Sequence, residues 1–372
     1  MQATPLVTVL MTVYNGAEYL KASVNSIVTQ TFTDFEFLIV NDYSTDNSVN
    51  IIESFNDKRI VIHNNERNLG QTKSLNIGLK LAKGKYVARM DADDMAFPLW
   101  LEKLVKVFEK HQKYAAIGSQ AIVIDSAGRT KKTRIVPGSF HEIIFRIFFD
   151  SPMNHVSVLL NRELILKNGG YDEEFKVTQD YELWSSLIRK NYPITNIPDV
   201  LVSYRVHSGS KGFMEASRRA LEEMSETIFR NIHSFTDLKL TFDDAVGLCK
   251  LFYHTHDLNS EEFERAEKNF LHLYSNMKEE YKLPSELTEN GIKTMMSKPY
   301  CKLAIYEIQN NRIKTARKIA LKYCSRYSFR MMPFLIYIST FFGQEISKKL
   351  PYIYEKWLEV TTKIFNRNYT YN

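Results

Sequence analysis

The chain opens with an apolar run from Leu6 to Val13. Between Glu18 and Thr29, Leu20, Val24, Ile27 and Val28 then share one helical face. The alternation repeats. Phe35 to Asn41 reads as a second buried strand, and Ser48 to Phe55 as a second helix entered through the Ser44-Thr45-Asp46 turn. The pattern predicts a short third strand over Arg59 to His63 and a third helix over Thr72 to Ala82, stopped by Gly84. A fourth strand, Tyr86 to Met90, ends directly at Asp91. Strands joined by helices through short connections pack as a mostly parallel sheet with helices on both faces. Such sheets bind ligands beyond the carboxyl ends of their strands, and Tyr14, Asp42 and Asp91 all fall at such ends.

The pattern changes after about Phe213. Long charged amphipathic helices are predicted from Glu215 to Tyr281, broken by a turn-like Lys282-Leu283-Pro284-Ser285-Glu286 and resuming to about Cys324. The expected organisation is an α/β domain over residues 1–213 and an α-helical region over 214–372. Two domains suit a chain of 372 residues, and 44% hydrophobic with 25% charged residues is ordinary globular composition. The cysteines, Cys249, Cys301 and Cys324, are odd in number and far apart, which fits a reducing compartment rather than a zinc or disulfide framework. Met1 to Pro5 lacks a basic region followed by an apolar core, so no secretory signal is expected, and no segment reaches the ~18 apolar residues of a spanning helix. The net charge of +6 suits phosphates or an anionic membrane surface, though so mild an excess is usually just a solvated surface, and no nucleic-acid partner is expected.

Candidate chemistry gathers at the strand ends. Asp91-Ala92-Asp93-Asp94 places like charges together, which a hard divalent cation, Mn²⁺ or Mg²⁺, resolves while bridging to phosphates; the alternative is a solvated acidic turn. Asp42, in Asn41-Asp42-Tyr43-Ser44, is suited to a base N–H or a ribose hydroxyl, or else to an Asx turn. Tyr14 can lie flat on a planar base or pack at its loop. Lys73, after Asn68-Leu69-Gly70, can pair with a phosphate near a helix N-terminus or simply face solvent. Asp180, in Gln179-Asp180-Tyr181-Glu182-Leu183-Trp184, is an acid at a helix start. It either takes a proton from a hydroxyl or serves the helix dipole alone. His207 and Arg205, in Tyr204-Arg205-Val206-His207, offer a metal ligand and a phosphate partner, or a histidine in water at a strand end.

In this order, these segments resemble the inverting family 2 glycosyltransferases, over about Leu6 to His207. The resemblance implies the GT-A fold and the bacterial branch that builds lipopolysaccharide, capsule and other surface glycans. It implies that Thr12, Tyr14 and Asp42 hold the uracil and ribose of a UDP-sugar, and that Asp91 contacts the nucleotide. Asp93 and His207 would hold the metal, with Lys73 and Arg205 beside the phosphates and Asp180 as catalytic base. The expected reaction moves a hexose or N-acetylhexosamine to a glycan or lipid-linked hydroxyl with inversion. His155 and Trp184 are candidates for the acceptor side. One departure stands out: the family commonly has an acidic residue before the base, where this chain has Gln179.

Two rivals remain at this level. A sugar nucleotidyltransferase also joins an acidic metal site to an α/β sheet, but would carry a Gly-rich basic loop where this chain has Tyr14-Asn15-Gly16-Ala17-Glu18. A non-catalytic nucleotide-sugar-binding module would not need Asp91, Asp93 and Asp180 together. Near the C-terminus, the basic stretch Arg312 to Arg330 precedes an apolar, aromatic-rich segment from Met331 to Gly343, with Lys348 and Lys349 after it. That pattern suits either a helix lying in an anionic membrane interface or a core helix. A cytoplasmic location, peripheral on the inner face of the cytoplasmic membrane, is the corresponding expectation.

Overall fold

The computed structural model describes residues 4–207, 218–281 and 289–327. Its first strands are continuous runs of buried side chains: β1 (Val7–Val13) and β2 (Phe35–Asn41) have no exposed position. A strand covered on both faces cannot alternate polar and apolar residues, which is why these segments read as unbroken apolar runs. Between them lies α1 (Ala17–Val28), which buries Leu20, Val24 and Ile27 against the sheet. The series continues through α2 (Ser48–Glu53), β3 (Ile60–Asn64), α3 (Gln71–Leu81) and β4 (Tyr86–Asp91). β1 pairs in parallel with β2 and β4, and β2 with β3, as the alternation predicts. β3 is the edge strand and is only half-buried.

Beyond β4 the sheet becomes mixed. The elements are β5 (Met95–Ala96), α4 (Trp100–Lys110), β6 (Ala116–Ile124), β7 (Thr130–Arg134), α5 (Phe140–Arg146), β8 (Leu159–Asn161), α6 (Arg162–Asn168), α7 (Gln179–Arg189) and β9 (Ile194–Arg205). The spatial order is β3-β2-β1-β4-β8-β6-β9-β5, with β7 pairing β6 at the side. β8 runs antiparallel to both β4 and β6, while β6 and β9 are parallel. β5, two residues long, pairs antiparallel with β9, with Met95 opposite Ser203. This short pairing matters because it brings the end of β9 back to the residues that follow β4.

α8 (Arg218–Phe235) follows. Its contacts group it with the sheet, in a unit spanning Met1–Asp237. The expected boundary at residues 213/214 had placed this helix in the C-terminal region. Its polar side chains bond instead to α7: Thr227 donates to Glu182 at 3.0 Å, and Asn231 donates to Ser185 at 3.0 Å. The second unit, Leu238–Asn372, contains α9 (Phe242–Tyr253), α10 (Ser260–Tyr281), α11 (Glu289–Gln309) and α12 (Ile313–Tyr327), all helical as predicted. Its interior holds Glu267, fully buried, which accepts from the Tyr300 hydroxyl at 2.8 Å and the Tyr327 hydroxyl at 2.6 Å and pairs with Arg326. The described cysteines are free thiols. Among the described residues no helix is long and apolar enough to cross a membrane. The segment from Met331 to Gly343 lies outside the described residues.

Candidate active site

The carboxyl ends of β1, β2 and β4 lie side by side, with Thr12 in register with both Val40 and Asp91. Thr12 is buried there. The loop after β1 is stitched to the loop after β2: Asn15 Oδ1 accepts the Thr45 N–H at 2.8 Å, and Asp46 accepts the Ala17 N–H at 3.0 Å. Tyr14 and Tyr43 stand out from this pair of loops with 52% and 53% of their surface exposed. Tyr43 does so from a left-handed backbone, φ 67°. Two exposed aromatic rings beside a strand-end crevice suit a planar ring that stacks.

Asp42 is buried, and its carboxylate folds a loop. It accepts the Leu69 and Gly70 N–H groups and the Asn65 side-chain amide, each at 2.8 Å. The neighbouring Asn41, not Asp42, makes the Asx-type bond to the Ser44 N–H at 3.0 Å. Asp42 thereby fixes the Asn68-Leu69-Gly70 turn that starts α3, and Gly70 takes a φ of 86° that only glycine adopts without strain. Lys73 is exposed on the first turn of α3.

Asp91 is held by Arg89, whose guanidinium makes two bonds to its carboxylate. Arg89 is itself almost wholly buried in β4. In the sequence Arg89 is marked only by being a charge inside an apolar strand, two residues before Asp91 and so on the same face. Since Arg89 neutralises Asp91, Asp93 is the freer carboxylate. His207 Nε2 lies 3.0 Å from Asp93 Oδ2, delivered by the β5–β9 pairing. Asp94 is fully buried and accepts the Arg205 N–H at 2.6 Å through Oδ1, while its Oδ2 is buried with no hydrogen-bond partner among the described residues.

Oxygens of Asp91, Asp93 and Asp94 lie within 4.8 Å of one another. Burial, and then the charge of Asp91, push the Asp93 carboxyl above its usual range, with His207 opposing. Burial and the charges of Asp93 and Asp91 push Asp94 well above it. Crowded carboxylates of this kind, one with an orphaned buried oxygen, fit a hard divalent cation, which takes oxygen ligands and relieves the repulsion.

Arg205, expected beside the phosphates, is buried and donates to the carbonyls of Asp93 at 2.9 Å, Asp125 at 3.1 Å and Ser126 at 3.2 Å, with its guanidinium over the Tyr19 ring. Its role is to clamp the backbone of the acidic turn.

Asp180 sits in the first turn of α7. Burial raises its carboxyl above the usual range, tempered by the Tyr181 N–H and by the charges of Arg134 and Arg89. Two amide side chains link this helix start to the acidic turn. Gln179 donates to Gln71 Oε1 at 3.2 Å, and Gln71 donates to Asp91 Oδ1 at 3.1 Å. Here the departure at Gln179 acquires a physical reading: a carboxylate at this position has no N–H to give Gln71. The loop before α7 is also held by α3, where Thr72 donates to the Phe175 carbonyl at 2.7 Å and Asn76 bonds both the N–H and the carbonyl of Tyr171 at 2.9 Å. Gly170 packs so close to Asn76 that an added Cβ would lie 2.7 Å from its Oδ1. His155 meets the Tyr171 hydroxyl at 2.8 Å, and Trp184 is fully buried beside it, so Trp184 supports this wall without offering a surface to a substrate.

Comparison with known proteins agrees with this geometry. The family described as "Glycosyl transferase family 2" matches residues 8–169. A glycosyltransferase of Haemophilus influenzae is 34% identical over 56% of this chain and 67% of its own length. The amylovoran biosynthesis glycosyltransferase AmsE of Erwinia amylovora is 31% identical over 54% of this chain and 76% of its own. Among solved structures, TarS 1–349 of S. aureus in complex with UDP-GlcNAc superposes with a TM-score of 0.54 at 18% identity, covering 87% of this chain and 93% of that one.

Proposed function

Since this chain belongs to the family 2 glycosyltransferases and has their GT-A fold, we propose that it transfers a hexose or N-acetylhexosamine from a UDP-sugar to a hydroxyl of a glycan or lipid-linked acceptor, with inversion, in bacterial surface polysaccharide synthesis. The observation that carries this reading is the joining of two sites. The chain Gln179–Gln71–Asp91 ties the start of the helix bearing a half-buried carboxylate, Asp180, to the acidic turn at the end of β4. On this reading the base and the diphosphate-side residues serve one site, and that link supports it. The link of a relative to amylovoran biosynthesis and the UDP-GlcNAc in a structural neighbour support the acceptor and donor classes.

In this reading Tyr14 stacks on the uracil, Thr12 lines its pocket and Asp42 holds the loop below it. Asp93 and His207 hold the divalent cation, which when bound supplies positive charge to the diphosphate leaving group. Asp91, oriented by Arg89 and Gln71, contacts the nucleotide, and Lys73 reaches the phosphate side from α3. Asp180 takes the proton of the acceptor hydroxyl as that oxygen attacks the anomeric carbon, and UDP leaves from the opposite face. One displacement inverts the centre, so an α-linked donor yields a β-linked product.

The test is UDP release measured across UDP-GlcNAc, UDP-Gal, UDP-Glc and UDP-GalNAc with Mn²⁺, then with EDTA. Release from at least one donor, abolished by EDTA and restored by Mn²⁺, is expected. Turnover undiminished by EDTA would remove the metal from the scheme.

A further inference from the structure

Asp180 lies at a helix start that lacks its usual cap. The Thr178 side chain at the N-cap position makes no bond to the first turn of α7. Negative charge reaches this end from another element. The carboxylate of Glu223, on α8, accepts three successive backbone N–H groups: Lys176 at 2.8 Å, Val177 at 2.9 Å and Thr178 at 2.9 Å. The Thr178 hydroxyl adds a bond at 3.3 Å, and Arg219, one turn earlier on α8, fixes the same carboxylate at 2.8 Å. Glu223 is 8% exposed. Burial works against its ionisation, but the Lys176 N–H, the Arg219 guanidinium and the Thr178 and Val177 N–H groups hold the carboxyl below its usual range.

The rest of the α7–α8 junction is made elsewhere. Thr227, Arg230 and Asn231 bond to the body of α7 through Glu182, Ser185 and Arg189. Among the described residues of α8, Glu223 is the one that bonds the N–H groups of 176–178, just before Asp180. We infer that Glu223 is the positioning residue for the catalytic base, a carboxylate clamp from α8 that fixes the loop 176–178 and so sets where Asp180 stands against the acceptor hydroxyl. The inference rests on the reading of Asp180 as the base. A charged acceptor holding consecutive N–H groups is among the stronger hydrogen-bonded arrangements, and a misplacement of about 1 Å in a reacting group can cost about 10²-fold in rate.

The test compares Glu223→Gln, which keeps the shape but turns a donor amide toward the backbone, with Thr227→Val, which loosens the same junction away from the base. Three quantities are read well below the unfolding temperature: kcat for transfer, KM for the UDP-sugar, and hydrogen exchange of the amides of 176–178. Glu223→Gln is expected to lower kcat by about 10- to 10²-fold with donor KM within about 2-fold, and to speed exchange at 176–178. Thr227→Val is expected to leave kcat near wild type. Should Glu223→Gln not fold, Glu223→Asp takes its place with the same readings in weaker form. An unchanged kcat, or an equal fall in Thr227→Val, overturns the inference. Turnover that survives in Asp180→Asn overturns the base assignment and this inference with it. Turnover that survives in Glu223→Gln while Asp180→Asn is inactive overturns this inference alone.

Discussion

Asp180 shows how its surroundings suit one side chain to the role proposed for it. Burial raises its pKa, with the Tyr181 N–H and the charges of Arg134 and Arg89 opposing. A base must be ionised to accept a proton, so kcat is expected to fall as pH drops through a value above the ordinary Asp range of ~3.9. The sign for stability is the reverse of that for a salt-bridged acid. A carboxyl whose pKa rises on folding binds its proton more tightly when folded, so its ionised form at neutral pH costs stability. Asp180→Asn should therefore lower kcat by about 10²–10⁴-fold while its thermal midpoint equals or exceeds wild type and UDP still binds. The pH–rate profile and a melting curve check both halves. Near-wild-type turnover would remove Asp180 from the role of base. Of the other expected residues, Asp93 and His207 meet each other, whereas Arg205 is consumed by backbone carbonyls. That difference was illegible in the sequence, since both lie in the same Tyr204-Arg205-Val206-His207 run, two residues apart and so on one face of an extended chain, and only the end of β9 at Arg205 separates them.

At the scale of elements, helix starts in this protein are completed in different ways. α7 borrows its carboxylate from α8, but α9 carries its own. Thr241 and Asp244 form a capping box, and Asp244 also accepts from Arg265 at 2.7 Å and Asn269 at 2.8 Å on α10. Burial opposes its ionisation, yet Arg265, the Thr241 N–H and hydroxyl, and Asn269 hold the carboxyl at about 2. A depressed carboxyl contributes stability that is complete above its unfolded pKa, ~3.9, and is lost as pH falls towards about 2. Asp244→Ala is expected to cost about 1–2 kcal/mol at neutral pH, read as a lower urea midpoint, and the difference from wild type should shrink on acidification through that window. A constant difference down to the lowest pH would show that the cap owes nothing to the charge. The Thr-x-x-Asp spacing of this box was visible in the sequence. The clamp on α7 was not, because Glu223 and Thr178 are 45 residues apart.

At the scale of the molecule, the boundary between the two units is decided by α8. Its residues Glu223, Thr227 and Asn231 recur at helical spacing and make a polar stripe along α7. A chain ending at Asp237 keeps this stripe and the whole sheet. It is expected to unfold cooperatively and to bind UDP. A chain ending at Phe213 leaves Glu182 and Arg189 without their α8 partners and should be far less stable or insoluble. Circular dichroism melts and UDP titration of the two chains distinguish them, and equal stability would move the boundary back to the earlier position. The amphipathic pattern of α8 resembles that of the helices after it, so sequence alone assigned it to them. By itself the sequence determined the parallel β1–β4 portion of the sheet and the strand ends where chemistry collects, because both follow from local period and from residues close along the chain. Only the tertiary structure decided that β5 returns His207 to Asp93, that Arg89 neutralises Asp91, and that a helix from beyond the motifs bonds the loop before Asp180. Each of these joins charges distant in sequence, or on a face that only the folded sheet defines, and their energies exist only once folding has removed the water between them.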